Sequence, residues 1–378
     1  MTITWQVNPQ AVDEAVEGDV PASLLEAARL LAAGETVAFP TETVYGLGAD
    51  ATNTAAVEAV FRAKGRPSDN PLIVHIADWT ELDGLVAEEG FSDTARLLMA
   101  RFWPGPLTLV LPARPGAVSP RVTAGLATVA VRMPAHPVAR ALIRAAGCPV
   151  AAPSANRSGR PSPTLAAHVH EDLDGRIAGL VDGGPTGVGL ESTVVEVVGD
   201  QVHILRPGGV TAGQLQAAAP ACTIVAPGAA AGAEAASPGD AAAYTPKSPG
   251  VKYAHYAPRG AMTLVRTQPP AGGAANPAAT DAAVAWIQAR VNEARRVGDR
   301  TGILTTRERA PLFDADLVLA CGSADDLEAA AHSLYAALRR FDEAGVTAIW
   351  AETYPEEGLG AALMNRMLKA AGGRLVDA

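Results

Sequence analysis

The sequence KGRPSDNPLIVHI, residues 64–76, joins a cationic loop to a short apolar segment. The apolar half, residues 71–76, begins with a proline and is rich in β-branched side chains, which predicts a buried strand. Gly65 and Pro67 exclude a helix across the first half, so we expect a loop there. Positive charge between a helix and a buried strand suits an anion-binding site. Taken alone, however, this stretch is better explained as a solvated basic turn.

The composition limits the class of protein. A length of 378 residues predicts two domains rather than one. Hydrophobic residues make up 48% of the chain and charged residues 19%, which is typical of a soluble globular protein. No apolar run is long enough to span a bilayer, and the first ten residues lack the pattern of a secretory signal. The net charge of −10 disfavours a surface made for long nucleic acids.

The cysteines and histidines give little support to a metal site. Cys148, Cys222 and Cys321 are far apart and form no CxxC pair. Neither a disulfide framework nor a zinc site is supported, and we expect a reducing, cytoplasmic compartment. His168 and His170 lie two residues apart without a suitably spaced third ligand, which favours a helix surface over a metal site.

Two candidate binding positions follow predicted strands in the first half of the chain. A helix over residues 20–34 and a strand over 36–39 precede the loop TETVYGLGAD, residues 41–50. Its hydroxyls and carboxylate suit a polar ligand, and a capped β-turn explains them equally well. A strand over residues 128–132 ends at Arg132, which suits bidentate binding of a carboxylate or phosphate. A plain surface position is the alternative for this arginine.

A third polar loop, PSANRSGRPS, occupies residues 153–162 after a predicted strand over 149–152. Its serines, asparagine and arginines could donate many hydrogen bonds to phosphate oxygens. The chain contains no GxxxxGK[ST] sequence, which excludes a P-loop NTPase at the level of motifs. Residues 182–189 are similar to a dinucleotide-binding fingerprint, but a predicted strand follows them where a helix should start. A glycine-rich turn is therefore the better interpretation there.

The last third of the chain changes character twice. Residues 217–243 are rich in Ala, Gly and Pro, which predicts a linker. The segment SPGVKYAHYAP, residues 248–258, holds two tyrosines, a histidine and a lysine, and we expect it to dock onto another surface. Beyond it, strands and helices alternate, which indicates a small open α/β domain with a parallel sheet. The predicted strands are 261–265, 301–304, 316–319 and 346–351; the predicted helices are 281–296, 325–341 and 360–371, with a core stripe of Leu334, Tyr335, Leu338 and Phe341.

Between residues 24 and 209 the chain carries, in order, PTETVYGLGADA, KGRPSDNPLIVHI, FWPGPLTLVL, VAVRMPAHP, APSANRSGRPSPT, ESTVVEV and ILRPGG. Together these stretches resemble the Sua5/YrdC/YwlC family of threonylcarbamoyl-AMP synthases. The family's K-x-R and S-x-N patterns match Lys64 with Arg66 and Ser154 with Asn156. The tyrosine-rich SPGVKYAHYAP, followed by an α/β domain, is similar to the long Sua5 form rather than the single-domain YrdC form. The Ala/Gly/Pro-rich insert is longer than that form requires.

The resemblance implies an α/β architecture in three parts. A YrdC-like catalytic domain, residues 1–216, would form a twisted mixed sheet with a concave active-site cavity. Residues 217–259 would form a linker that includes SPGVKYAHYAP as a lid segment. Residues 260–378 would form a smaller, Rossmann-like α/β domain of the Sua5 type.

The implied activity is that of a nucleotidyltransferase. It joins L-threonine, bicarbonate or CO2, and ATP with Mg2+, and gives L-threonylcarbamoyl-AMP and pyrophosphate. The product feeds the t6A modification beside the anticodon of tRNAs that read codons beginning with A. Separate proteins transfer the group to tRNA, so any contact between this chain and tRNA would be transient, and no membrane is involved.

The resemblance also implies the residues of the site. Lys64 and Arg66 would be catalytic and supply positive charge at the α-phosphate, with Mg2+ held through the phosphates rather than by protein side chains. The implied ATP-binding residues are Arg66, Asn70, Thr128, Ser154, Asn156, Ser162, Arg206 and Tyr256. The implied threonine-binding residues are Thr43, His75, Arg132, Ala152 and Ser192. The implied lid residues are Lys252, Tyr253, His255 and Tyr256.

Two alternatives make different predictions. The hydrogenase-maturation carbamoyltransferases contain a related adenylate-forming module, but they carry cysteine-rich zinc fingers that three scattered cysteines cannot form. An RNA-binding protein that recruits tRNA, with a vestigial cavity, is disfavoured by the acidic charge. Its signature would be a strongly salt-dependent affinity for RNA.

Overall fold

The computed structural model describes residues 1–13, 20–87, 91–227, 246–249, 255–266 and 277–378. By their internal contacts they form two compact units. Unit 1 comprises Met1–Ser158 and Ser162–Tyr253, and unit 2 comprises Gly159–Pro161 and Ala254–Ala378. None of the helices formed by these residues is both long and apolar enough to cross a bilayer.

Unit 1 is built on a mixed sheet with the order β1-β8-β2-β3-β7-β4-β6-β5-β9-β10-β11. The strand β4 pairs in parallel with β6, whereas β5 and β6 run antiparallel. The mixed α/β sheet confirms the predicted class of the first domain. In chain order the strands are β1 (Ile3–Gln6), β2 (Val37–Phe39), β3 (Gly46–Asp50), β4 (Ile73–His75), β5 (Leu107–Pro112), β6 (Thr128–Arg132), β7 (Val150–Ala151), β8 (Gly179–Asp182), β9 (Thr193–Val198), β10 (Gln201–Arg206) and β11 (Thr223–Val225).

The helices of unit 1 pack on this sheet, and one of them places a candidate catalytic lysine. The helix α3 begins after Asn53, whose side chain accepts hydrogen bonds from two backbone N–H groups of the first turn. It ends at Lys64 because Gly65 adopts a left-handed conformation with φ +62°. The helices are α1 (Pro9–Asp13), α2 (Ala22–Ala32), α3 (Thr54–Lys64), α4 (Leu82–Leu85), α5 (Asp93–Phe102), α6 (Pro120–Thr123), α7 (Pro137–Ala146), α8 (Ala166–Leu173) and α9 (Ala212–Ala218).

Three sequence-based expectations about unit 1 need correction. Residues 41–50 were expected to be a loop throughout, but their second half forms β3, antiparallel to β2. Glycine there hid the strand: a Cβ on Gly48 would lie 2.7 Å from the Phe39 ring. His168 is buried in α8 rather than on the helix surface, and its Nδ1 accepts a hydrogen bond from Thr164 N at 3.2 Å. Unit 1 also continues past residue 216, since β11 pairs with β10.

Unit 2 is a five-stranded parallel sheet with the order β14-β13-β15-β12-β16, as the alternation of strands and helices predicts. The predicted stripe of Leu334, Tyr335, Leu338 and Phe341 lies on α11 and is fully buried. The strand β16 follows a short turn and was not anticipated. The elements are β12 (Ala261–Arg266), α10 (Pro277–Arg296), β13 (Thr301–Thr305), β14 (Leu317–Ala320), α11 (Leu327–Glu343), β15 (Ala348–Glu352), α12 (Gly360–Ala370) and β16 (Leu375–Asp377).

Candidate active site

The centre of the site in unit 1 is Arg132, the last residue of β6, whose side chain is 4% exposed. Its Nη1 donates a hydrogen bond to Thr43 Oγ1 at 3.0 Å, and its Nε donates to the Gly105 carbonyl oxygen at 3.2 Å. Its Nη2 lies 2.6 Å from Oε1 of Glu42. The structure therefore brings together two residues expected to bind threonine, Thr43 and Arg132, and adds a carboxylate that was not expected.

His75 lies beside this arginine because β4 and β6 pair in register, His75 opposite Arg132. Its ring is buried edge-on to Phe39, and Nδ1 lies 3.2 Å from the carbonyl oxygen of Ile73. Burial, and then the nearby positive charge of Arg132, lower the pKa of His75 to about 3. The imidazole therefore stays neutral at physiological pH and offers hydrogen bonds rather than charge.

Lys64 lies at the end of α3 and reaches the loop that follows β7. Its ammonium lies 2.5 Å from the carbonyl oxygens of Ser154 and Asn156. Within that loop, Ser154 Oγ donates to Asn156 Oδ1 at 2.5 Å. The K-x-R lysine and the S-x-N loop, which are about ninety residues apart in sequence, thus meet in one cluster.

Two further residues of the 64–76 stretch belong to this region. Arg66 Nη2 donates to the carbonyl oxygen of Pro71 at 3.4 Å. Asn70 is 1% exposed, and neither its amide nitrogen nor its amide oxygen has a hydrogen-bond partner among the described residues. Burying an amide without hydrogen-bond partners costs folding free energy. The position of Asn70 therefore fits a side chain that hydrogen-bonds to a polar ligand.

A third cluster lies where β9 begins and β10 ends. Arg206 Nη2 donates to the Ser192 carbonyl oxygen at 2.9 Å, and its Nη1 donates to the carbonyl oxygen of Pro249 at 3.3 Å. The Ser192 hydroxyl lies 2.8 Å from that of Thr108. These contacts tie Ser192 to Arg206, residues expected to bind threonine and ATP respectively.

Ser162 is fully buried, and its hydroxyl donates to Glu191 Oε1 at 2.6 Å. Ala152 follows β7 and donates its backbone N–H to the carbonyl oxygen of Ile73 at 2.9 Å. Thr128 begins β6 and therefore lies at the end of that strand opposite Arg132. Its part in nucleotide binding stays a prediction.

Of the four predicted lid residues, two lie outside the described part of the chain and two belong to unit 2. Lys252 and Tyr253 lie outside the described residues. Tyr256 belongs to unit 2, where its ring stacks on Tyr335 with centroids 5.2 Å apart. The backbone φ of Tyr256 is +66°, a conformation that L residues rarely adopt. His255 is also buried, with its ring 5.6 Å from that of Tyr256.

Sequence reasoning missed Glu42, Thr108 and Glu191. Glu42 lies in the quoted PTETVYGLGADA stretch, and Glu191 begins ESTVVEV, so both were visible as charged residues beside selected ones. Thr108 lies inside an apolar strand and is fully buried. A hydroxyl within such an apolar run was the sequence clue to its role.

Comparison with known proteins shows which family the chain belongs to. A family model described as "Telomere recombination", Sua5_yciO_yrdC, matches residues 29–208, and one described as "Threonylcarbamoyl-AMP synthase, C-terminal domain" matches residues 210–372. The threonylcarbamoyl-AMP synthase of Bacillus subtilis is 51% identical over 353 residues, which are 93% of this chain and 94% of the relative. The chain belongs to the Sua5 family of threonylcarbamoyl-AMP synthases.

Other members of the family agree along nearly the whole chain. The Pyrococcus abyssi threonylcarbamoyl-AMP synthase is 42% identical over 93% of this chain and 94% of its own length. The crystal structure of P. abyssi Sua5 complexed with L-threonine matches with a TM-score of 0.82 and 39% identity, covering 100% of this chain and 99% of the other. The predicted long, two-domain Sua5 form is thereby confirmed.

Proposed function

We propose that this chain is an L-threonylcarbamoyl-AMP synthase, which converts L-threonine, bicarbonate or CO2, and ATP into L-threonylcarbamoyl-AMP and pyrophosphate. Membership of the Sua5 family and the likeness to a relative solved with L-threonine support this function. The observation that carries it is the buried Arg132, which ends β6 with Thr43 and His75 beside it. A guanidinium in such a setting suits the carboxylate of an amino acid.

The reaction places few covalent demands on the protein. The amine of threonine adds to CO2, and an oxygen of the resulting carbamate attacks the α-phosphorus of ATP and displaces pyrophosphate. No enzyme nucleophile is required, so catalysis depends on holding two anions in line and on positive charge at the α-phosphate. Arg132 would hold the carboxylate of threonine, and Thr43 and Ser192 would line its side-chain pocket. Hydroxyls there would favour threonine over analogues without the hydroxyl.

The nucleotide would lie against the Lys64 and Arg66 cluster. Lys64 would order the loop that carries Ser154 and Asn156 and add its charge near the phosphates. Arg66 would stabilise charge at the α-phosphate, and the buried amide of Asn70 would gain a partner. Ser162, Arg206 and Thr128 are the further ATP-binding residues of the proposal.

Mg2+ would accompany ATP. Among the described residues, no three His, Cys, Asp or Glu side chains come together as metal ligands. We expect the cation to be held through the phosphates, where it would neutralise charge on the departing pyrophosphate.

The proposal also covers the lid segment, the fate of the product and the cellular compartment. The segment 248–258 would act as a lid that protects the reactive product from water, with Pro249 anchored by Arg206. The product would pass to the proteins that transfer threonylcarbamoyl groups to tRNA, with transient tRNA contact at most. The proposed role and three cysteines without a disulfide favour the cytoplasm.

Pyrophosphate release from ATP tests the function. Purified protein with Mg2+ and bicarbonate should release pyrophosphate in an L-threonine-dependent manner, with weak activity on serine or valine. Release that ignores threonine would indicate a different acceptor. No release, together with tight and salt-sensitive tRNA binding, would favour the RNA-binding alternative.

A further inference from the structure

The carboxylate of Glu42 lies against Arg132, the residue proposed to bind the carboxylate of threonine, and forms an ion pair with it. Its side chain is 15% exposed, and both of its oxygens are buried. Arg132 Nη2 contacts Oε1 at 2.6 Å, but no donor among the described residues makes a hydrogen bond to either oxygen. The backbone of Glu42 is fixed, because its carbonyl oxygen accepts a hydrogen bond from Val188 N at 2.7 Å.

The other ionisable groups near Glu42 are two histidines and a lysine, and none of them is an anion. His75, across from Arg132 on β4, is neutral for the reasons given above. His136 follows β6, and its burial lowers its pKa. The negative charge of Glu42 raises that pKa, but by less. The Lys64 ammonium is bound to the loop carbonyls of Ser154 and Asn156. Among these groups Glu42 is the carboxylate, and it contacts Arg132 directly.

Arg132 and Glu42 together form a cation and an anion that touch. A free amino acid has the complementary pair of charges, because its carboxylate could bind Arg132 while its ammonium, attached to the same carbon, could bind Glu42. A substrate carboxylate on Arg132 places the α-ammonium within reach of the carboxylate that already contacts Arg132. We propose that Glu42 is a catalytic residue that binds the α-ammonium group of threonine and accepts its proton before the amine attacks CO2.

The proton balance supports this assignment, which rests on the proposed synthase function. Threonine arrives with an –NH3+ group, and only the neutral amine has the electron pair needed for the new N–C bond. Glu42–COO− takes one proton and becomes Glu42–COOH, the amine bonds to the carbon of CO2, and a second proton leaves to water. The sum is R–NH3+ + Glu42–COO− + CO2 → R–NH–COO− + Glu42–COOH + H+. The neutral carboxyl group can then lie beside the carbamate anion without repelling it.

Glu42→Gln tests the proposal, because glutamine keeps the shape but can neither balance the ammonium charge nor take its proton. At pH 7 we expect kcat for threonine-dependent pyrophosphate release to fall about 100-fold or more, and the KM for threonine to rise. The Kd for ATP should stay within about twofold of the parent value. Toward about pH 9 the deficit should shrink, since more of the free amine is already neutral in solution.

The matched control is Glu58→Gln, the same change at an exposed glutamate that pairs with Arg121 on the surface of unit 1. It should leave kcat and KM unchanged. A Glu42→Gln variant with kcat within about twofold of the parent would overturn the proposal. A deficit equal at every pH would also overturn it, because it would mean that Glu42 only positions Arg132. If the parent protein itself releases no pyrophosphate with threonine, the proposed function fails instead.

Discussion

The Lys64 ammonium donates a hydrogen bond to the carbonyl oxygen of Ser154, 2.5 Å away. The last residue of α3 thereby holds the loop after β7. Lys64→Met should leave that carbonyl and the one of Asn156 without their donor. Each loss costs about 1–3 kcal/mol when the acceptor stays buried. We expect a lower melting temperature and an ATP KM raised by about tenfold or more.

Arg62→Met is the matched control, since Arg62 is an exposed residue of the same helix. It should change neither the melting temperature nor the KM for ATP. A Lys64→Met variant that loses ATP affinity at an unchanged melting temperature would show that the ammonium acts on the nucleotide alone.

Arg132→Lys should damage threonine recognition despite the conserved charge. Lysine cannot reproduce the planar group that donates to Thr43 Oγ1 at 3.0 Å and to the Gly105 carbonyl oxygen at 3.2 Å. Losing one or two such bonds should raise the threonine KM by about 10- to 100-fold. Steady-state kinetics and isothermal titration with ATP separate the two substrates, and the ATP Kd should not move. Arg121→Lys, on the surface, is the control; a normal threonine KM for Arg132→Lys would contradict the assigned role.

The pair of Ser162 and Glu191 should couple stability to nucleotide binding. The buried serine donates to Glu191 Oε1 at 2.6 Å, so Ser162→Ala removes a donor from a buried carboxylate. We expect a loss of about 1–3 kcal/mol in the free energy of unfolding and a higher KM for ATP. In a double-mutant cycle with Glu191→Gln, denaturant unfolding should show a coupling energy of about 0.5–3 kcal/mol. Additive effects would mean that the contact does not form in solution.

Local sequence patterns predict those elements of the fold whose apolar residues recur at the spacing of a strand or a helix. The β-branched run from Thr128 to Arg132 forms a strand with the predicted bounds, and the predicted stripe on α11 is fully buried. The strand β3 escaped the same reasoning because Gly46 and Gly48 remove the side chains that mark a strand. At Gly48 a Cβ would lie 2.7 Å from the Phe39 ring and 2.8 Å from the Val150 side chain, which is too close for any other residue.

The candidate site depends on contacts between residues that are far apart in sequence. No local pattern places Glu42 against Arg132, which is ninety positions later, or Thr108 against Ser192. The motifs named individual residues through their resemblance to a family, but they did not say which of them touch. Partners such as Glu42 and Glu191 are set by the strand order of the sheet, and that order is a long-range property.

Gly208 in the ILRPGG stretch illustrates a residue whose role is steric. A Cβ at this position would lie 2.3 Å from the carbonyl oxygen of Glu191 and 2.4 Å from the backbone nitrogen of Thr193. Backbone atoms cannot give way as a flexible side chain can, so Gly208→Ala should cost about 1–3 kcal/mol or more and disturb Ser192. Gly213→Ala in α9, where a Cβ would meet nothing closer than Thr211 Oγ1 at 4.0 Å, is the control and should stabilise by up to about 1 kcal/mol. Thermal unfolding of the two variants should shift in opposite directions.

His75 should make the protein sensitive to acid. Its pKa is about 3 in the folded protein against 6.5 for an ordinary histidine, so between these values the unfolded chain binds a proton that the folded one does not. Stability contributed by the neutral imidazole is complete above the ordinary pKa. It falls by about 1.4 kcal/mol for each pH unit below that value.

Removing the imidazole should remove this part of the acid sensitivity. Between pH 7 and pH 5, His75→Gln should lose about 2 kcal/mol less stability than the parent protein, whatever its stability at pH 7. Urea unfolding at a series of pH values measures the slope, and His170→Gln, at an exposed position of α8, should retain the parent's slope. Parallel slopes for His75→Gln and the parent would mean that His75 is accessible to protons in the folded state. In that case its neutral role beside Arg132 would have to be abandoned.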